Sequence, residues 1–169
     1  MQKIEEKLKK CIEEGKRGER HKGLREINPD KQLALEYLNK AMHNLKAITF
    51  FYNGGFSDWS ASAAFYSLYH CLLAILAKNG YESRNQSCTF AIIEDLIKNN
   101  KITEITIEEL KDIFDSDIKE NLEHSSKILD IRESMQYSTK ISIETDTFKK
   151  LKEKTIILFE KLRREIEKD

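Results

Sequence analysis

The stretch Ala63-Ala-Phe-Tyr-Ser-Leu-Tyr-His-Cys-Leu-Leu-Ala-Ile-Leu-Ala77 is apolar on almost every side of a helical projection. A helix of that kind is wrapped by other helices. It opens after Ser57 or Asp58, either of which suits an N-cap, and closes at Asn79-Gly80. It is too short and too polar-flanked to be read as a membrane span, and no other apolar run approaches the ~20 residues that one needs. The chain is therefore expected to be built around this segment as a central helix.

Reading outward, Asn28-Pro29-Asp30 supplies an N-cap, a first-turn proline and an acid for the positive end of a helix. Ala34, Leu38, Ala41, Leu45, Ile48 and Tyr52 then form a stripe at helical spacing, and Gly54-Gly55 permits a left-handed stop. Aromatic residues crowd between Phe50 and Tyr69, which places the core on these two helices. Further helices are expected over roughly 88–98, after the capping box Thr106-x-x-Glu109, from about Asp117 to Gln136, and from about Thr145 to the end. The last carries Phe148, Leu151, Phe159, Leu162 and Ile166 on its inner face. At the other end, Ile4, Leu8, Cys11 and Ile12 mark a short amphipathic helix. No convincing strand is found; Ser138–Ile143 is the one ambiguous stretch. The fold class is all-α: an up-and-down bundle of four to five core helices with additional N- and C-terminal helices.

The 169 residues suit one domain, and 40% hydrophobic content with a formal net charge of +0 excludes a disordered polyelectrolyte. Zero net charge removes a general polyanion-binding argument but leaves local patches. The segment Gly15–Gly23 is such a patch, a basic linker containing Lys16, Arg17, Arg20 and Lys22, with Arg25 just beyond. It reads as a solvated loop or as a phosphate-contacting surface. Three widely spaced cysteines, Cys11, Cys71 and Cys88, argue against a disulfide framework or a zinc knuckle. With no basic-then-apolar leader at the N-terminus, the expected compartment is a reducing cytoplasm, away from any membrane.

Several chemistries fail on spacing. The residues three before His21, His43, His70 and His124 are Gly18, Lys40, Ser67 and Asn121, so the Glu-x-x-His pair of a carboxylate-bridged metal bundle is missing. There is no phosphate-binding glycine loop and no Gly-x-Ser-x-Gly elbow. Neither a cofactor nor a metal is expected. His70 falls on the Ala63–His70–Ala77 line, where it is a hydrogen-bonded core residue or part of a ligand pocket. Arg132 is the anomaly. Ile118, Leu122, Ile128, Leu129, Ile131 and Met135 define an apolar arc, with Arg132 near its middle and His124, Ser125 and Gln136 within it. A guanidinium there needs a carboxylate, phosphate or carbonyl partner. It is a structural ion pair, an arginine snorkelling at a bundle end or dimer seam, or an anion or nucleotide site.

Taken in order, Asn28-Pro29-Asp30, Ala34-x-x-x-Leu38-x-x-Ala41, Gly54-Gly55-Phe56, Ala63–His70, Lys78-Asn-Gly-Tyr81, and Arg132 with Tyr137 five residues on resemble the HEPN domain (higher eukaryotes and prokaryotes nucleotide-binding), in its small stand-alone prokaryotic branch. The resemblance covers residues 24–140. It divides the chain into a helix and basic linker (1–23), the bundle (24–140) and a C-terminal amphipathic helix packed on it (141–169). It implies a homodimer that binds RNA, a nucleotide or a protein partner, often a nucleotidyltransferase in a toxin–antitoxin pair. Active relatives are metal-independent RNases with an Arg-x(4–6)-His motif, in which the Arg holds the scissile phosphate. Arg132 matches that Arg. Tyr137 stands in place of the His, and no histidine follows His124. A phenol, with an ordinary pKa of about 10, is a poor general base at neutral pH. The resemblance thus implies a binding module with a degenerate RNase motif; the alternative is an active RNase toxin using Arg132 together with His124, Tyr137 or a group from a second chain.

Overall fold

A computed structural model describes residues 2–18, 22–114 and 127–168. The elements run α1 (Gln2–Lys16), β1 (Leu24–Glu26), α2 (Lys31–Asn53), α3 (Ser57–Lys78), β2 (Tyr81–Ser83), α4 (Gln86–Lys98), α5 (Ile107–Ile113), α6 (Ile128–Gln136) and α7 (Thr145–Glu167).

The quoted stretch forms the middle of α3, and α2, α4, α6 and α7 all pack on that helix. Phe65, Leu68, Leu72, Ile75 and Leu76 are fully enclosed. At 22 residues α3 is in fact long and apolar enough to cross a membrane, which corrects the expectation that it is too short. What sets it apart from a span is its surroundings, since most of it is buried inside the bundle. Ala41 on α2 and Ala61 and Ala64 on α3 have no exposed surface, and small residues of this kind allow two helices to approach closely. Gly55, at φ +81°, makes the left-handed turn between α2 and α3. At the far end Asp30 N–H donates to the Ala77 carbonyl at 2.9 Å, closing an antiparallel hairpin. The C-terminal helix is equally committed. Phe148, Leu151, Leu158, Phe159 and Leu162 are buried, Phe148 stacks on Tyr52 at 3.8 Å, and the buried Glu165 carboxylate accepts from the Thr103 and Glu104 amides.

Several local expectations are corrected. Asp30, not Asn28, caps α2, its carboxylate accepting from Leu33 N–H. Neither Ser57 nor Asp58 caps α3; the Ser57 hydroxyl instead accepts from Ile143 N–H at 2.9 Å, which holds the segment leading into α7. The helix expected from Asp117 to Gln136 is not continuous, because Lys127 is extended and α6 starts at Ile128; residues 115–126 lie outside the described ones. The Thr106–Glu109 capping box is present as expected. A short antiparallel strand pair was not expected, yet Leu24 faces Ser83, Arg25 faces Glu82 and Glu26 faces Tyr81. Three-residue strands carry no readable alternation. Their pairing is imposed by the α2–α3 hairpin, which brings residue 27 to residue 80 through an Ile27 N–H to Gly80 carbonyl bond of 2.9 Å.

The N-terminal helix departs most from the sequence-based expectation. Gly15 is part of α1 and not of a linker, and a Cβ there would lie 2.1 Å from the Leu24 carbonyl oxygen. Gly23, at φ +77°, would bring a Cβ within 2.2 Å of the Gly15 nitrogen. The two backbones therefore touch where neither residue could carry a side chain. Cys11 on α1 is joined to Cys88 on α4, with Cα atoms 5.8 Å apart. This overturns the expectation of a chain without a disulfide and removes the cysteine-based argument for a reducing compartment. Count and spacing along the chain say nothing of adjacency across two packed helices. Cys71 is a free, buried thiol whose pKa burial pushes well up.

The cross-link spans 77 residues of sequence, and closing a loop of that order is worth about 2–4 kcal/mol. Reduction, or Cys11→Ser, is expected to lower Tm by about 5–15 °C. Thermal melts with and without dithiothreitol check this; superimposable melts would show that α1 is held without the bond.

Candidate functional site

Trp59, Ser62 and Tyr66 fall at i, i+3 and i+7 on α3 and so share one face. Arg132, Met135 and Gln136 do the same on α6 at i, i+3 and i+4. The chain leaving α6 turns back past the end of both helices, because Ser57 anchors Ile143. Asp58, Ser138, Thr139, Lys140 and Ile141 complete a cleft of about 470 Å³ between the two helices and this return segment.

Arg132 dominates the cleft. Its guanidinium carbon lies 5.1 Å from the centroid of the Phe65 ring and 5.2 Å from that of Tyr66, and Nη2 donates a long hydrogen bond of 3.4 Å to the Tyr66 hydroxyl. Nε is buried with no hydrogen-bond partner. Among the described residues no carboxylate stands within ion-pair distance. Aromatic faces attract a cation by about 0.5–2 kcal/mol. They hold the guanidinium in place without neutralising it, so its charge remains available to an anion entering the cleft.

The other candidates separate. Gln136 lines the cleft beside Arg132. Tyr137 does not: it is the C-cap of α6, it is 78% exposed, and five residues put it about 140° around a helix from Arg132. His124 and Ser125 lie outside the described residues. His70 lies outside the cleft lining, one turn beyond Tyr66. Its Nδ1 is 2.6 Å from the Tyr66 carbonyl, to which it donates, and 3.2 Å from Asn44 Nδ2. It is a hydrogen-bonded member of an aromatic cluster with Tyr37, Tyr66 and Tyr69. Of the basic patch, Lys16 ends α1 and Arg17 follows it in a turn, and Lys22 and Arg25 flank or lie on β1; Arg20 is outside the described residues. The strand pair adjoins the C-terminal end of α3. The cleft adjoins its N-terminal half, about 24 Å away from Ser62 to Lys78 at 1.5 Å per residue. Patch and cleft are thus distinct surfaces.

Trp59, Asp58, Tyr66 and Lys140 were not anticipated as site residues. The 59/62/66 spacing was visible in the sequence, but only the packing of α6 reveals that this face looks onto Arg132. No cluster of His, Cys, Asp and Glu fit to hold a metal occurs among the described residues.

An arginine held on aromatic faces in a cleft of an all-α bundle now has a family context. Residues 34–166 match the HEPN domain, and the chain belongs to that family. The match begins within α2 and runs through most of α7, so it takes in the C-terminal helix and leaves α1 and β1 outside. No curated protein matches the sequence.

His70 generates a pH prediction. Burial lowers its pKa, and Lys40 adds to this, while the hydrogen bond to Tyr66 works the other way. The folded state thus binds fewer protons at this ring than the unfolded chain does. Stability is expected to fall as pH drops below the unfolded value of about 6.5. His70→Gln, which can still donate to the Tyr66 carbonyl, should flatten the change in Tm between about pH 5 and 7. Equal slopes for both proteins would remove His70 from the account.

Proposed function

We propose that this HEPN protein is a dimeric binding module for the phosphate of RNA or a nucleotide, working beside a nucleotidyltransferase partner in a toxin–antitoxin-like setting. The observation that carries this reading is the un-neutralised Arg132 guanidinium in an open cleft. A phosphate oxygen supplies the anionic acceptor that the Nη groups lack, and the planar guanidinium of arginine suits it.

RNA cleavage without a metal also needs a group to take the 2′-hydroxyl proton. The described cleft residues include no histidine, and Tyr137, the C-cap of α6, does not line the cleft. General acid–base help is worth about 10²–10⁴-fold. Its loss is expected to leave a binder with little turnover.

Fluorescence anisotropy with a short single-stranded RNA checks the reading. Arg132→Ala should weaken binding by about tenfold or more, and Tyr137→Ala should leave it nearly unchanged. Rapid, EDTA-insensitive cleavage by the wild-type protein, abolished by Arg132→Ala, would replace this reading with that of an active RNase. Sedimentation at low micromolar concentration is expected to give a dimer, and a purely monomeric species would count against the dimeric part of the proposal.

A further inference from the structure

We propose that the cleft selects a guanosine nucleotide, with the base stacked on Trp59 and read by Asp58. This rests on the assignment of Arg132 as the phosphate anchor and adds the other end of the ligand.

The cleft has two chemically different ends. One holds the Arg132 guanidinium. The other holds Trp59, which is 58% exposed and lies about 10 Å along α3 from Tyr66 at 1.5 Å per residue. A site for phosphate alone has no use for an open indole. An apolar ligand would leave Arg132 un-neutralised and strip water from Asp58, at a cost on both counts. A nucleotide answers both ends, because every base has a π-face that stacks on an aromatic ring. The volume of about 470 Å³ is within the range of small-ligand pockets, roughly 300–1,000 Å³. Gln136, Ser138 and Thr139 also line the cleft and offer the hydrogen-bonding groups that a ribose requires.

Asp58 decides which base. It precedes Trp59 in the first turn of α3, where the helix dipole favours a carboxylate. A carboxylate only accepts hydrogen bonds, and it repels a phosphate placed beside it. It therefore orients the ligand with the phosphate toward Arg132 and the base toward Asp58. Of the four common bases, guanine alone presents two adjacent donors on its Watson–Crick edge, N1–H and the N2 amino group, and these match the two oxygens of a carboxylate. Adenine and cytosine pair a donor with an acceptor, and uracil flanks its single N–H with two carbonyls.

Trp59 is the sole tryptophan of the chain, so its fluorescence reports directly on the proposed platform. Titration of the full-length protein with GMP, IMP, AMP, UMP and guanosine is the test. GMP should quench Trp59 and bind about tenfold or more tightly than AMP or UMP, since a site built around hydrogen bonds rejects ligands that leave its groups unpaired. IMP, which lacks only the N2 amino group, should fall between. Arg132→Ala should reduce GMP binding to the level of guanosine. Asp58→Asn, near-isosteric and checked for folding by circular dichroism, should abolish the preference for GMP while keeping Arg132-dependent binding. Trp59→Phe, monitored by calorimetry, should retain binding that Trp59→Ala loses. Equal affinity for all four nucleotides, still dependent on Arg132, would overturn the guanine assignment and leave the phosphate anchor standing. Loss of any Arg132 dependence, in nucleotide and RNA binding alike, would overturn both.

Discussion

Everything in this molecule depends on keeping α3 dry. Its apolar side chains cover most of the circumference of the helix, so no single neighbour can shelter them. α2 lies against one side, α6 and α7 against others, and α4 completes the enclosure. At about 25 cal/mol per Å² of apolar surface removed from water, this burial is the dominant favourable term in the fold. It also explains why a helix long and apolar enough for a membrane forms the axis of a bundle. The same constraint shapes the cleft. α6 must cover the upper face of α3, and in doing so it lays Arg132 across Phe65 and Tyr66.

At Arg132 this packing sets a cation directly against aromatic rings. A buried ion pair would make it a structural residue, because each charge would cancel the other. Aromatic faces act differently: they supply attraction and a fixed orientation while leaving the net charge in place. The long hydrogen bond to Tyr66 and the orphaned Nε are consistent with a group whose hydrogen-bonding capacity is incompletely used. The site is thereby preorganised, since the guanidinium need not be drawn away from a carboxylate before it meets a ligand.

The N-terminal elements sit on the family domain and are not part of the matched region. They are attached by a disulfide to α4 and by the short strand pair, while a backbone contact between Gly15 and residues 23–24 ties α1 to β1. Together these place the basic residues around β1 at the end of α3 remote from the cleft. Any anion they contact therefore meets a surface separate from Arg132, and only a ligand of some length reaches both.

Helix identity and the central role of α3 are legible in the sequence, because they follow from local periodicity and from an apolar run that demands enclosure. The capping box at Thr106 and the inner face of α7 are legible for the same reason. Arg132 also stands out, since a guanidinium within an apolar arc conflicts with its surroundings. What covers that arginine is not legible. Phe65 and Tyr66 are 66–67 residues away along the chain, and only the crossing of α3 and α6 brings them to it. The Cys11–Cys88 bond, the Leu24–Glu26 strand and the pairing of Trp59 with Arg132 in one cleft are likewise long-range. Residue type and spacing determined which segments become helices and which face of each turns inward. Which inward faces meet is a property of the assembled bundle, set by closing an antiparallel hairpin and filling the space around one helix, and that is where the cleft was decided.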